Sequence, residues 1–173
     1  MHLHATLHYD ADVARVGRML ADHEFVEAKL RASGALSQHA NVVGEPDRGF
    51  TVTTRREMPT DSIPPQFRSF VGSTLEVRHV EAWEPLTDGE RKGSVVLEIV
   101  GAPVRFTGRL RLAAADTDPG DGTGAVVEVD GDLKASIPLF AAALEQAAAD
   151  AVRGALDAEE RAGRAWLAQH AAD

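Results

Sequence analysis

Two periodicities divide the chain. Residues 2–9 alternate strictly, with Leu3, Ala5, Leu7 and Tyr9 on one side and His2, His4, Thr6 and His8 on the other. This is the pattern of a half-buried strand. Asp10 and Asp12 then supply capping chemistry ahead of Val13, Val16, Met19 and Leu20, which predicts a short helix. Asp22 caps a second one carrying Phe25, Val26 and Leu30, and Ser33-Gly34 ends it, because glycine accepts the left-handed conformation of a helix terminus.

Period two returns near Ser37 and continues to Ser136, punctuated by turn residues. The predicted strands are 38–44, 50–58, 74–83, 94–100, 104–114 and 126–136. Turns follow from Glu45-Pro46-Asp47-Arg48-Gly49, Asp88-Gly89-Glu90 and Gly101-Ala102-Pro103, and 116–124 reads as a mobile hairpin loop. Residues 59–72 interrupt the meander with prolines and two phenylalanines, Phe67 and Phe70, and read as a lid or as a plug packed on the sheet. Residues 137–173 are almost all helix formers, with Pro138 tolerated in a first turn. On that predicted helix Leu144, Ala148, Ala151, Val152, Ala155, Ala162 and Trp166 share a face on which alanine predominates. A stripe this shallow, laid over a sheet, leaves room for a cavity. At ~1.5 Å per residue the helix would run roughly 50 Å and overshoot a small sheet, so its last turns are expected to meet a second subunit.

Composition narrows the picture. The 173 residues form one expected domain, 1–173, with 44% hydrophobic and 26% charged residues. A net charge of -9 argues against nucleic acid or anionic lipid as a partner. The absence of cysteine excludes disulfides and thiolate chemistry and fits a reducing cytoplasm. No apolar run approaches the ~20 residues that span a bilayer, and the first residues lack a signal-peptide pattern. The expected location is cytoplasmic, and the heavy use of Ala, Gly, Arg and Asp matches a high-GC bacterial genome.

One strand, two short helices, about six antiparallel strands and a long helix make an order that resembles the START-like, or SRPBCC, helix-grip superfamily. The passage from Val129 through Asp130-Gly131-Asp132-Leu133-Lys134-Ala135-Ser136 to Ile137-Pro138-Leu139, with Glu145 shortly after, resembles the strand-to-helix junction of a bacterial domain-of-unknown-function branch, the 2505 type. Ala141-Ala142-Ala143 stand here where that branch has glycines. The resemblance implies an α+β fold: a curved antiparallel sheet of about seven strands wrapped around the C-terminal helix, with an apolar cavity between them. It also implies a hydrophobic ligand, lipid-like or polyketide-like, in that cavity.

Such a cavity should be apolar with a few polar groups aimed inward. On the apolar parity of the strands the polar exceptions are Arg56, His79 and Glu81, and on the helix stripe the exception is Glu159. The expected ligand-binding set joins these to Phe67, Phe70, Phe106, Leu144, Ala148 and Val152. His79 with Glu81 would also suit an acid-base pair of a cyclase or hydrolase. No nucleophile elbow, phosphate loop or His-Glu-x-x-His motif is present. His2, His4 and His8 share a strand face, and without a neighbouring carboxylate they read as its polar side rather than a metal site. No cofactor is expected. Three functions stay open: binding of a hydrophobic small molecule, acid-base catalysis in the same cavity, and a protein-interaction module that forms a homodimer through the C-terminal helix.

Overall fold

The structure, a computed structural model, describes residues 1–61, 65, 68, 73–115, 124–136 and 141–171. Seven strands form one antiparallel sheet: β1 (His2–Tyr9), β2 (Ser37–Glu45), β3 (Gly49–Pro59), β4 (Thr74–Trp83), β5 (Arg91–Ile99), β6 (Val104–Ala114) and β7 (Ala125–Ala135). Their spatial order is β1-β7-β6-β5-β4-β3-β2, so five successive hairpin neighbours are completed by β1, which adds to the far edge beside β7. Helices α1 (Val13–Leu20) and α2 (His23–Ala32) follow β1, and α3 (Ala141–Gln169) crosses the sheet's inner face. The curved sheet wrapped round a long helix is the helix-grip architecture that the order of elements predicts.

Local chemistry explains the boundaries. Asp12 accepts from the Arg15 amide at 2.8 Å, and Asp22 accepts from Glu24 and Phe25, which starts each helix where the capping residues predict. Gly34, at φ 81°, ends α2 as expected. β5 begins at Arg91, three residues before its predicted start. The Arg91 guanidinium is buried, donates to the carbonyls of Glu84 and Pro46, and lies over the Phe50 ring, so it continues the ladder inward instead of pointing into solvent.

The core lies between the sheet and the three helices. Leu3, Leu7, Phe50, Val52, Leu110, Leu112, Val127 and Val129 come from the strands, and Val16, Leu20, Phe25, Val26 and Leu30 from α1 and α2. Each such side chain contributes about 1.5–3 kcal/mol on burial. Of the predicted stripe on α3, Leu144, Ala148, Val152, Ala162 and Trp166 pack against the core, and Ala151 is exposed. The inner face is broader than that stripe, with Ala149, Ala158, Gly163 and Leu167 as its buried positions. Gly163 allows a close approach to β1, since a Cβ there would stand 2.5 Å from Tyr9 Cε1.

The end of α3 does not overhang. Trp166 meets Phe25 edge-on at 5.9 Å and stacks on His170 at 4.2 Å, while Arg15 donates to the carbonyls of Leu167 and His170. The last turns of α3 therefore pack on α1 and α2 of the same chain. The histidines of β1 also differ from expectation, because β7 brings carboxylates beside them. Asp130 lies 3.2 Å from His2 and 3.5 Å from His4, and Asp132 lies 3.6 Å from His2, all more than half exposed. Those aspartates are far away in sequence, and no group of three or more such residues among the described ones has the arrangement to hold a metal ion. No helix among the described residues is long and apolar enough to cross a membrane.

Candidate functional site

Strand register builds the site. Because side chains alternate, Phe50, Val52, Thr54 and Arg56 of β3 share the inner face with Val77, His79, Glu81 and Trp83 of β4. One cross-strand row runs Ala40, Thr54, His79, Leu97, Phe106, Leu133, and the next runs Val42, Val52, Glu81, Val95, Gly108, Gly131, Leu3. The two glycines lie beneath an aromatic ring: a Cβ on Gly108 or Gly131 would stand 3.1 or 2.8 Å from Phe106 Cζ. Trp83 likewise rests against Gly93. Rings that lie flat on the strands leave space above them.

That space is a cavity of ≈ 60 Å³. This is room for roughly four waters. Leu97, Phe106, Leu110, Val127 and Val129 form its floor, Val152, Ala155 and Leu156 of α3 its roof, and Leu20 and Lys29 its side. Arg56, His79, Glu81, Trp83 and Glu159 also line it.

The polar groups divide sharply. Lys29, from α2, is buried and donates to Glu81 Oε1 of β4 and to Glu159 Oε1 of α3, both at 2.9 Å. The second oxygen of Glu81 accepts from the Trp83 indole N–H at 2.9 Å. Burial works against the Lys29 ammonium, but the charges of Glu159 and Glu81 outweigh it and raise its pKa. Burial likewise opposes the Glu81 carboxylate, and Lys29 overcomes that penalty and lowers its pKa. Glu159 goes the other way: burial, reinforced by the nearby charge of Glu81, raises its pKa despite Lys29. Two carboxylates on one ammonium are thus driven apart in proton affinity.

His79 Nε2 stands 3.6 Å from Glu81 Oε1, and burial pushes its pKa down to about 4, so the ring is neutral at physiological pH. Arg56 is half-buried and makes no hydrogen bond or ion pair among the described residues; its Nε has neither solvent contact nor partner. Burial lowers its pKa, opposed by the charges of Glu159 and Glu81. The hydroxyls of Thr54 and Tyr9 are also buried without a hydrogen-bond partner among the described residues.

Of the residues expected to bind ligand, Arg56, His79, Glu81, Phe106, Val152 and Glu159 meet at this cavity. Leu144 and Ala148 pack against the core nearer the start of α3 and are not in the cavity wall. Phe67 and Phe70 lie outside the described residues. Sequence reasoning missed Lys29, although its signal was present: a lysine four residues after Phe25 and three after Val26 sits on the apolar stripe of α2. Trp83 is a further residue in the cavity wall, where its indole N–H donates to Glu81.

Solved structures share this architecture at low sequence identity, which speaks for the fold alone. The Thermus thermophilus protein TTHA0849 superposes with TM-score 0.59 at 16% identity over 98% of this chain and 99% of its own. The Zhui aromatase/cyclase from Streptomyces sp. R1128 gives 0.57 at 14% identity, covering 99% and 98%. Norcoclaurine synthase from Thalictrum flavum, solved in complex with dopamine and hydroxybenzaldehyde, gives 0.51 at 10% identity, covering 98% and 87%. No curated protein matches the chain in sequence. The model of one family, Protein of unknown function (DUF2505), matches residues 4–167, nearly the whole chain, and the protein belongs to that family.

Proposed function

We propose that the protein binds a small hydrophobic molecule bearing a polar group, held between the sheet and α3. The observation that supports this best is the cavity itself. It is walled by aliphatic and aromatic side chains and carries a guanidinium with no hydrogen-bond or ion-pair partner among the described residues. Well-packed interiors leave few voids larger than a water molecule, so a void of this size beside a half-buried, unpaired charge supports a binding role. Its ≈ 60 Å³ suits a short chain rather than a long lipid, and because a cavity that holds a benzene ring measures about 150 Å³, a ring would have to push the lining side chains or α3 outward.

Acid-base catalysis is the second reading, favoured by the neutral His79 ring 3.6 Å from Glu81. Binding is the stronger one because Glu81 is held as a carboxylate by Lys29 and the Trp83 indole N–H, and Lys29 lowers its pKa against the opposing effect of burial, which makes it a weak base for a substrate proton.

The test is a titration followed by methyl and aromatic NMR, using benzyl alcohol, 1-hexanol, benzoate and hexanoate. Binding in the cavity shifts resonances of Val152, Leu156 and Phe106 together and saturably. If all four compounds leave these resonances unmoved at millimolar concentration, the reading is wrong.

A further inference from the structure

We infer that the polar group of the ligand is a carboxylate, received by Arg56. This deepens the binding reading and rests on it. The donors and acceptors of the cavity carry the argument. Lys29 already holds two carboxylates, the Trp83 indole N–H is donated to Glu81, and Glu81 accepts through both oxygens. What stays free on the inner face of β3, among the described residues, is a donor set. Arg56 makes no hydrogen bond or ion pair there and lines the cavity, whereas the buried, unpartnered Thr54 hydroxyl two residues earlier lies outside the cavity wall; on β4 the neutral His79 ring, 3.6 Å from Glu81, adds an uncharged group that makes no hydrogen bond there.

A guanidinium is a planar fork of N–H groups that no proton loss at ordinary pH can silence, and a carboxylate is the group whose two oxygens match it. A neutral alcohol makes no charge-assisted pair with the fork and leaves its charge unanswered. A cationic ligand would meet both Lys29 and Arg56. The charge balance also admits an anion. Lys29 and Arg56 face Glu81 and Glu159, and burial beside Glu81 already pushes Glu159 toward its neutral form, so a proton there offsets the arriving charge. The apolar remainder of the molecule would then lie along Phe106, Val152 and Leu156.

The experiment compares hexanoate with 1-hexanol and benzoate with benzyl alcohol on the full chain labelled with ¹⁵N. The acids are expected to bind about tenfold or more tightly than their alcohols, as a charge-assisted pair should. They should also shift the Arg56 Nε–Hε resonance, which the alcohols leave in place. Arg56→Leu should erase the preference for acids while keeping alcohol binding, and Arg56→Lys should restore only part of it, since a point charge lacks the fork. The amide spectrum of each variant verifies its fold, and the Arg56 resonance of the unmodified protein gives an answer even where a variant fails to fold. Equal binding of acids and alcohols, with Arg56 Nε unmoved, overturns the carboxylate assignment and leaves the cavity as a binding site. Loss of all binding, including the alcohols, overturns both.

Discussion

Lys29 and Arg56 reach the same cavity from α2 and β3, yet Lys29 sits between Glu81 and Glu159 at 2.9 Å each while Arg56 has no hydrogen-bond or ion-pair partner among the described residues. The lysine ties together a helix, a strand and the gripping helix, so its charge is part of the architecture. The arginine makes no such tie among the described residues. Its charge is favoured only at longer range, by Glu159 and Glu81, and its half-buried guanidinium is open to a further partner. A charge with its partners built in belongs to the fold, whereas the role proposed for Arg56 is to take its partner from elsewhere.

Substitutions should separate the two cations. Lys29→Met leaves two carboxylates facing each other in the core and should lower stability by about 3–5 kcal/mol, the usual penalty for removing one member of a buried ion pair, read by urea unfolding. Combining it with Glu81→Gln and Glu159→Gln should recover much of that loss, because neutral partners no longer repel. A Lys29→Met protein as stable as the parent would show the triad to be incidental.

The next effect is acidic instability. His79 titrates at about 4 in the folded protein and near 6.5 when unfolded, so between those values the unfolded chain binds the extra proton. Stability is therefore fully present above pH 6.5 and falls as pH drops toward 4, by on the order of 2–3 kcal/mol. Glu81, with its pKa lowered from 4.5, adds a further loss below that value, and Glu159, with its pKa raised, gains on acidification and partly offsets both. His79→Leu should flatten the melting temperature between pH 6.5 and 4. An unchanged slope would place the sensitivity elsewhere. Because Lys29 and Arg56 both help to keep His79 neutral, Arg56→Leu should shift its titration upward, a direct sign that the arginine charge reaches the cavity.

Smaller still, Trp83→Phe removes the indole donor to Glu81 and should cost about 2 kcal/mol, as for a hydrogen bond to a charged group. A loss below about 0.5 kcal/mol would mean that water replaces it. Arg56→Leu has the least effect on stability, within about 1 kcal/mol and in either direction, because no described protein partner is abandoned. A loss comparable to that of Lys29→Met would make Arg56 a structural residue and end the contrast.

Much of this was legible in the sequence. The parity of Phe50, Val52, Thr54 and Arg56, and of His79 with Glu81, is a local property of strands, and it placed these side chains on the inner face correctly. Glu159 was legible from helical spacing for the same reason. Lys29 was overlooked because a lysine near the end of a helix reads as a solvated residue favourable to the helix dipole, and only the tertiary position of two distant glutamates makes it a core residue. The pairing of His2 and His4 with Asp130 depends on β1 crossing to the far edge of the sheet, a step no local pattern records. The burial of Gly163 on α3 likewise depends on a long-range contact, its close approach to Tyr9.

The most direct test of the cavity and its arginine is a crystal structure of the protein grown with hexanoate. The account predicts continuous density between the sheet and α3, with the carboxylate within hydrogen-bond distance of the Arg56 guanidinium and the chain along Phe106, Val152 and Leu156. A cavity closed by protein side chains, with Arg56 turned to solvent or paired with a residue of its own chain, would contradict it.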